Sequence, residues 1–282
     1  MTLSIRDQAR VHHWFVALVF VCGAVALVDA LRSLAAAPIA NQWILLAVLT
    51  LASGIFAVKL PSLNATLSIS ETFLFALVLL FGGAPAVVTV ALDGLAISLT
   101  RRHHKFTHIA FNLAEPTVSM WVASRVYYAM AGVSPLSIVS TTVTLTDVAL
   151  PALAMGGVYF LMNSVLNALV MATESGTSPF ALWRKYFLWV SLNCFGGASL
   201  AVLLAVNTRT MSVASLLAVA VPVVPLILIS YFTFKSSMGR LEDENVHLAD
   251  VNRLYLQVVE TLAMAVDAKD QVTHDHIRRV KI

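Results

Sequence analysis

The sequence predicts an all-α membrane protein: a bundle of about eight transmembrane helices followed by a cytoplasmic coiled-coil helix. Three observations predict it. Of 282 residues, 59% are hydrophobic and only 12% charged, and mean hydropathy is +0.84, which is more apolar side chain than one globular core of this length buries. Apolar runs of about 20 residues, the length a helix needs to cross the hydrocarbon layer, recur from Trp14 to Phe234. After Phe234 the composition turns polar and acidic, and large apolar residues return at seven-residue spacing.

The spans are predicted at Trp14–Ser33, Gln42–Val58, Ile69–Gly82, Ala84–Thr100, Phe106–Ala131, Asp147–Thr173, Tyr186–Val206 and Ser212–Phe234. The first follows Arg6, Arg10, His12 and His13 and imitates a signal peptide. Its apolar core, Trp14 to Leu31, exceeds the usual signal core of about 7–15 residues, so it reads as a retained span. The third and fourth are short and meet at Gly82-Gly83-Ala84-Pro85, a turn that makes them a hairpin. Trp14, Trp43, Trp183 and Trp189 fall near span ends, where indoles favour the interface, and Trp121 falls inside span five. Pro222 and Pro225 are candidate kinks in the last span.

Orientation follows from the basic residues. With the N-terminus inside, the cytoplasmic segments hold ten: Arg6, Arg10, Lys59, Arg101, Arg102, Lys105, Arg184, Lys185, Lys235 and Arg240. The outer segments hold three: Arg32, Arg125 and Arg209. This positive-inside bias and an even span number place both termini in the cytoplasm. It also accounts for the net charge of +3 without a nucleic-acid partner. The run Arg101-Arg102-His103-His104-Lys105 reads as a topology anchor beside anionic lipid. Cys22 and Cys194 lie inside apolar runs, with no C-x-x-C spacing, and read as small buried hydrophobes.

Three segments are expected: a membrane domain over 1–235, a coiled-coil helix over 236–266, and a third segment over 267–282. Leu241, Leu248, Tyr255 and Leu262 recur every seven residues with Val251 and Val258 between them. That is an a/d pattern over about three heptads, and it predicts a parallel homodimer; a single amphipathic helix packed on its own downstream domain is the alternative.

The stretch Leu262 to Val280 reads LAMAVDAKDQVTHDHIRRV. It resembles the opening of bacterial HD-type phosphohydrolase domains, most closely the HD-GYP group that hydrolyses cyclic di-GMP. The resemblance implies that His276, in H-x-x-R-V, takes the first metal-ligand position. The metal would be a divalent ion of the iron or manganese class, suited to imidazole and carboxylate, and would polarise phosphate and activate water. His274-Asp275 is not the family's His-Asp pair, which lies tens of residues further on. That pair, the later ligands and the G-Y-P segment are not in this sequence, so the expectation is the front part of a longer enzyme, without bound metal or activity of its own. Histidine kinases also place a His after a coiled coil, but their R-x-P is missing after His276.

A second stretch, Leu67 to Tyr128, contains S-I-S-E-T-F-L-F, L-L-F-G-G-A-P-A, Arg101-Arg102 and F-N-L-A-E. It resembles multi-span sensor regions found ahead of bacterial HD and GGDEF output domains. The resemblance implies a sensory domain in the bacterial inner membrane and names no signal.

Polar residues within spans are costly and usually face the bundle interior. Glu71, Asp93, Asn112, Glu115, Asn163, Asn167 and Asn193 are the candidates. Counted from the cytoplasmic ends at about 1.5 Å per residue, most fall in the cytoplasmic half. One polar cavity lined by Glu71, Asp93, Asn112, Glu115, Asn167 and Asn193 is therefore expected, for a small cation, a proton or a polar metabolite. The plain alternative is hydrogen-bonding glue between helices. The rival functions are a transporter-like solute binder, to which the short Gly/Pro-bounded hairpin points, and a sensor for another output domain, a diguanylate cyclase or histidine kinase.

Overall fold

The computed structural model describes residues 5–36, 41–54, 58–59, 66–67, 70–99, 106–136, 145–187, 190–207, 243, 246–262 and 264. The eighth predicted span, Pro222 and Pro225, the 101–105 basic run, Trp189, Leu241 and the whole 267–282 segment with His274, Asp275 and His276 lie outside them.

The described chain is helical: α1 (Ile5–Ala36), α2 (Trp43–Gly54), α3 (Glu71–Phe81), α4 (Gly83–Leu99), α5 (Phe106–Ala131), α6 (Leu145–Ser175), α7 (Pro179–Tyr186) and α8 (Val190–Asn207), with α9 over residues 246–262. Two two-residue strands, Val58–Lys59 and Thr66–Leu67, are the β structure among the described residues. Two compact units are formed. One comprises Met1–Val58 and Thr66–Leu228 and holds α1 to α8; the other comprises Lys59–Ala65 and Ile229–Ile282 and holds α9.

Among the described helices, two segments are long and apolar enough to cross a hydrocarbon layer, Arg10–Ala36 and Asp147–Ser175. The apolar stretches Trp43–Ser53, Glu71–Phe81, Gly83–Leu99 and Cys194–Val206 are shorter. The predicted seventh span is divided differently: Tyr186 ends the short helix α7, and α8 begins at Val190. The predicted turn is also shorter. Gly82 alone separates α3 from α4, with φ 105°, a left-handed backbone where a Cβ is strained. Pro85 sits in the first turn of α4, where a missing N–H leaves no intrahelical bond unmade.

Helix α3 is the centre. After Glu71 its sequence is apolar on every side but for Thr72, and all eleven residues are buried. That distribution belongs to a helix wrapped by others, and α2, α4 and α8 pack round it, with α6 touching. On α5 lie α1, α4 and α6. The helix ends fix directions: His12 of α1 and His108 of α5 meet Glu174 at the end of α6, while Asp29 of α1 meets Trp121 and Arg125 of α5. Thus α1 and α5 run parallel and α6 runs against them.

Side-chain size is inverted on α1. Val16, Val19, Gly23, Ala26 and Ala30 face the bundle and are buried, whereas Trp14, Leu18, Val21, Val25 and Val28 are exposed, Trp14 at 76%. Small residues let helices approach closely. A Cβ added at Gly23 would lie 2.6 Å from Ala114 Cβ, and one at Gly94 would lie 2.4 Å from the Asn112 carbonyl oxygen. Pro116 stands four residues after Asn112 inside α5; having no N–H, it leaves that carbonyl without its helical partner, and α4 approaches there.

Candidate functional site

The polar interior is built on α3, α4, α5 and α6. Glu115, on α5, is 3% exposed and accepts three hydrogen bonds. Ser119, one turn along the same helix, donates to Oε1 at 2.9 Å. Asn163 and Asn167, four apart on one face of α6, each donate an amide N–H to Oε2 at 3.2 Å. The second Asn amide also reaches the Asn163 carbonyl at 2.9 Å. A carboxylate only accepts, and three donors on two oxygens match it. The network ties α5 to α6 across the bundle.

Asp93, on α4, is buried, and its Oδ2 accepts from the Ser70 hydroxyl at 3.0 Å. Ser70 immediately precedes α3, so this bond closes the open end of the α3–α4 hairpin. The other oxygen, Oδ1, is buried without a partner, as is the hydroxyl of Thr89 one turn earlier on α4. Glu71 begins α3 and is buried at 8% exposure. Tyr159 of α6 is buried as well, 4% exposed. Its ring meets Phe75 edge-on at 5.5 Å between centroids. Asn112 points elsewhere, donating to Ser98 on α4 at 3.5 Å. The side chain of Asn193 lies outside the described residues.

The expected single lining is therefore distributed. Glu115 and Asn167 share one hydrogen-bonded group, Asp93 belongs to another with Ser70, and Asn112 to a third with Ser98. Sequence reading of the site residues missed Ser70, Thr89, Ser119 and Tyr159, and passed over Asn163 in the final lining set. Two of these were signalled by spacing: Ser119 is four after Glu115, and Thr89 is four before Asp93. Ser70 lies just before α3 and Tyr159 on α6, away from α4 and α5 in sequence, and spacing carries no such information.

Two further clusters mark opposite ends of α1. At one, His12 Nδ1 bonds the Thr173 hydroxyl at 2.9 Å, and His12 and His108 both approach Glu174 at 3.7 Å. At the other, Asp29 accepts from Trp121 Nε1 at 2.8 Å and from Arg125 at 2.9 Å, and the guanidinium lies 4.1 Å over the Trp121 ring. Trp121, which the sequence places inside span five, is thus a hydrogen-bond donor that joins α5 to α1. Among the described residues no group of three or more His, Cys, Asp or Glu is placed to hold a metal ion.

Comparison of the chain with protein-family models, with curated proteins and with solved structures finds no match.

Proposed function

We propose that this chain is the multi-span membrane sensor region of a bacterial signalling phosphohydrolase of the HD type, acting on cyclic di-GMP. The membrane part spans about eight times with both termini in the cytoplasm, and a homodimeric coiled coil carries its state to the output domain. The carrying observation is the surface of α9. Leu248, Val251, Tyr255, Val258 and Leu262 are all exposed, Tyr255 at 67%, as is every described residue of α9, so the heptad residues are available to a partner. A helix with an apolar stripe requires a partner for it, and the a/d spacing fits a second copy. The residues that follow in sequence are those that resemble an HD domain.

Other observations support the membrane reading. The two long apolar helices, the exposed large side chains of α1 and its buried small ones are the distribution a lipid-facing helix has. The parallel course of α1 and α5 against α6 fits alternate crossing, and the positive-inside bias of the sequence gives its orientation. His276 would hold a divalent iron- or manganese-class ion together with ligands from the rest of such a domain, and that ion would activate water for attack on phosphorus. A population shift in the bundle serves as a signal only when the ligand binds one packing better than the other.

The test is hydrolysis. The product of the native reading frame, purified with manganese or iron, is expected to linearise cyclic di-GMP, and His276→Ala to lose at least tenfold of that rate. Absence of metal-dependent hydrolysis refutes the phosphohydrolase reading. Sedimentation in detergent tests the dimer, and a cytoplasmic-versus-periplasmic reporter fused after Ile282 tests the topology.

A second reading, a transporter-like solute binder, is favoured by the α3–α4 pair. A fully buried helix of eleven residues, joined at a glycine to another short one and bearing buried carboxylates, has the form of the broken helices that build transport sites. Saturable uptake into vesicles containing the chain would select it.

A further inference from the structure

We propose that Asp93 and Thr89 of α4, with Ser70 at the start of α3, form a binding site for a small monovalent cation of the sodium class. The argument begins with charge. Asp93 and Glu115 are buried at 4% and 3% exposure, and the buried polar side chains among the described residues include no Lys, Arg or His. Unbalanced charge in an apolar interior is costly. Glu115 is provided for by three neutral donors. Asp93 has one, Ser70, and its second oxygen has no partner.

The position of that oxygen selects the ligand. Side chains on a helix lean toward its N-terminus, and positions four apart share a face, so Asp93 leans toward Thr89. The two are neighbours, yet the Thr89 hydroxyl, 0% exposed, and Asp93 Oδ1 bond neither each other nor anything else. Two buried oxygens without partners, one turn apart on one helix face, are groups that a shared cation would satisfy, because a cation accepts lone pairs from both. Carboxylate and hydroxyl oxygens are hard donors that suit hard cations. The charge is that of one carboxylate, and no group of three acidic, His or Cys side chains is gathered among the described residues, which argues for a monovalent ion over a divalent one. The neighbouring α3 is buried along its whole length, and so closely packed a surrounding favours a smaller ion over potassium. As the signal of the sensory domain, sodium rests on the reading given above; as a bound ion it depends on the bundle alone.

The experiment uses the whole chain in detergent or nanodiscs. Thermal unfolding is followed in sodium, potassium and choline chloride at one ionic strength and constant pH, alongside direct binding of radioactive sodium. Sodium is expected to raise Tm saturably, by about 5 °C at 100 times its Kd, while potassium and choline do not. Asp93→Asn and the near-isosteric Thr89→Val should each raise the half-saturating sodium concentration at least tenfold. Asp29→Asn, on the exposed far part of α1, should leave it unchanged. Equal melting in all three salts with no bound sodium overturns the proposal, as does a response that survives both site variants. Stabilisation by acid alone, with no sodium term at any pH, makes the occupant a proton and also overturns it. None of these results bears on cyclic di-GMP hydrolysis, so the two readings fail separately.

Discussion

Replacing Gly94 by alanine should open the contact between α4 and α5 and lower the stability of the bundle by about 2 kcal/mol. The added Cβ would stand 2.4 Å from the Asn112 carbonyl oxygen, 3.2 Å from its carbon and 3.3 Å from Leu113 Cα. All three are backbone atoms, so no side chain can rotate away. Ordinary contact begins at 3.4 Å; 3.4 less 2.4 requires the helices to part by about 1 Å, enough to forfeit a quarter to a half of each dispersion contact along the seam. Alanine favours helix over glycine by about 1 kcal/mol, and overpacking costs about 1–3 kcal/mol, occasionally more. The clash sits at the upper end because it falls on backbone, so the cost exceeds the propensity gain. Gly196 on α8 is the control: a Cβ there meets nothing within 4 Å, so Gly196→Ala shows the propensity term alone and should match or exceed the wild-type stability. The assay is unfolding in mixed micelles followed by tryptophan fluorescence, with both variants run beside wild type. If Gly94→Ala is as stable as Gly196→Ala, α4 and α5 do not cross as closely as described and the reasoning is wrong.

Other perturbations separate the polar groups. Glu115→Leu leaves the donors of Ser119, Asn163 and Asn167 unpaired and should cost about 2–4 kcal/mol. Glu115→Gln should cost under about 1 kcal/mol, because its carbonyl can still accept from both Asn amides while its NH2 donates to Ser119; equal losses in the same unfolding assay would show that charge, not hydrogen bonding, holds the network. Arg125→Ala removes an ion pair whose side chains are 59% and 45% exposed. It should shift stability by at most about 1 kcal/mol, and a larger loss would mean that the stack on Trp121 matters more than the pair. Tyr255→Asp puts a charge in the α9 seam and should weaken self-association at least tenfold, about 1.4 kcal/mol, by light scattering in detergent; unchanged dimer would remove the coiled coil.

How much of this was legible in the sequence depends on whether the signal is local. Helix α5 was predicted as Phe106–Ala131 and is observed at those bounds, because an apolar run between polar neighbours sets its own ends. The span predicted over Tyr186–Val206 starts too early: Tyr186 is the last residue of α7 and α8 begins at Val190, and because Phe187, Leu188 and Trp189 are apolar, hydropathy alone gives no sign of the boundary. The α3–α4 turn was legible through Gly82, but its extent was not: Pro85 looks like a loop residue and is equally at home in a first helical turn. The pair Asn163 and Asn167 declared a shared face by spacing alone, while their partner, Glu115, is 48 and 52 positions away.

The same contrast explains why one polar lining was expected and three groups were found. Sequence supplies position along a helix axis, because rise per residue is constant. It supplies rotation about the axis only through periodicity, and α3 has none to read: buried on all sides, its eleven residues look alike in every direction. Asp93, Asn112 and Glu115 accordingly turn to different partners, one toward Ser70, one toward Ser98 and one toward α6. The separation has a chemical consequence. Glu115 already has its donors and ties α5 to α6, whereas Asp93 keeps an unpartnered oxygen one turn from the equally unpartnered Thr89 hydroxyl, so the unmet hydrogen-bonding capacity of this interior lies on α4 and not at the α5–α6 contact.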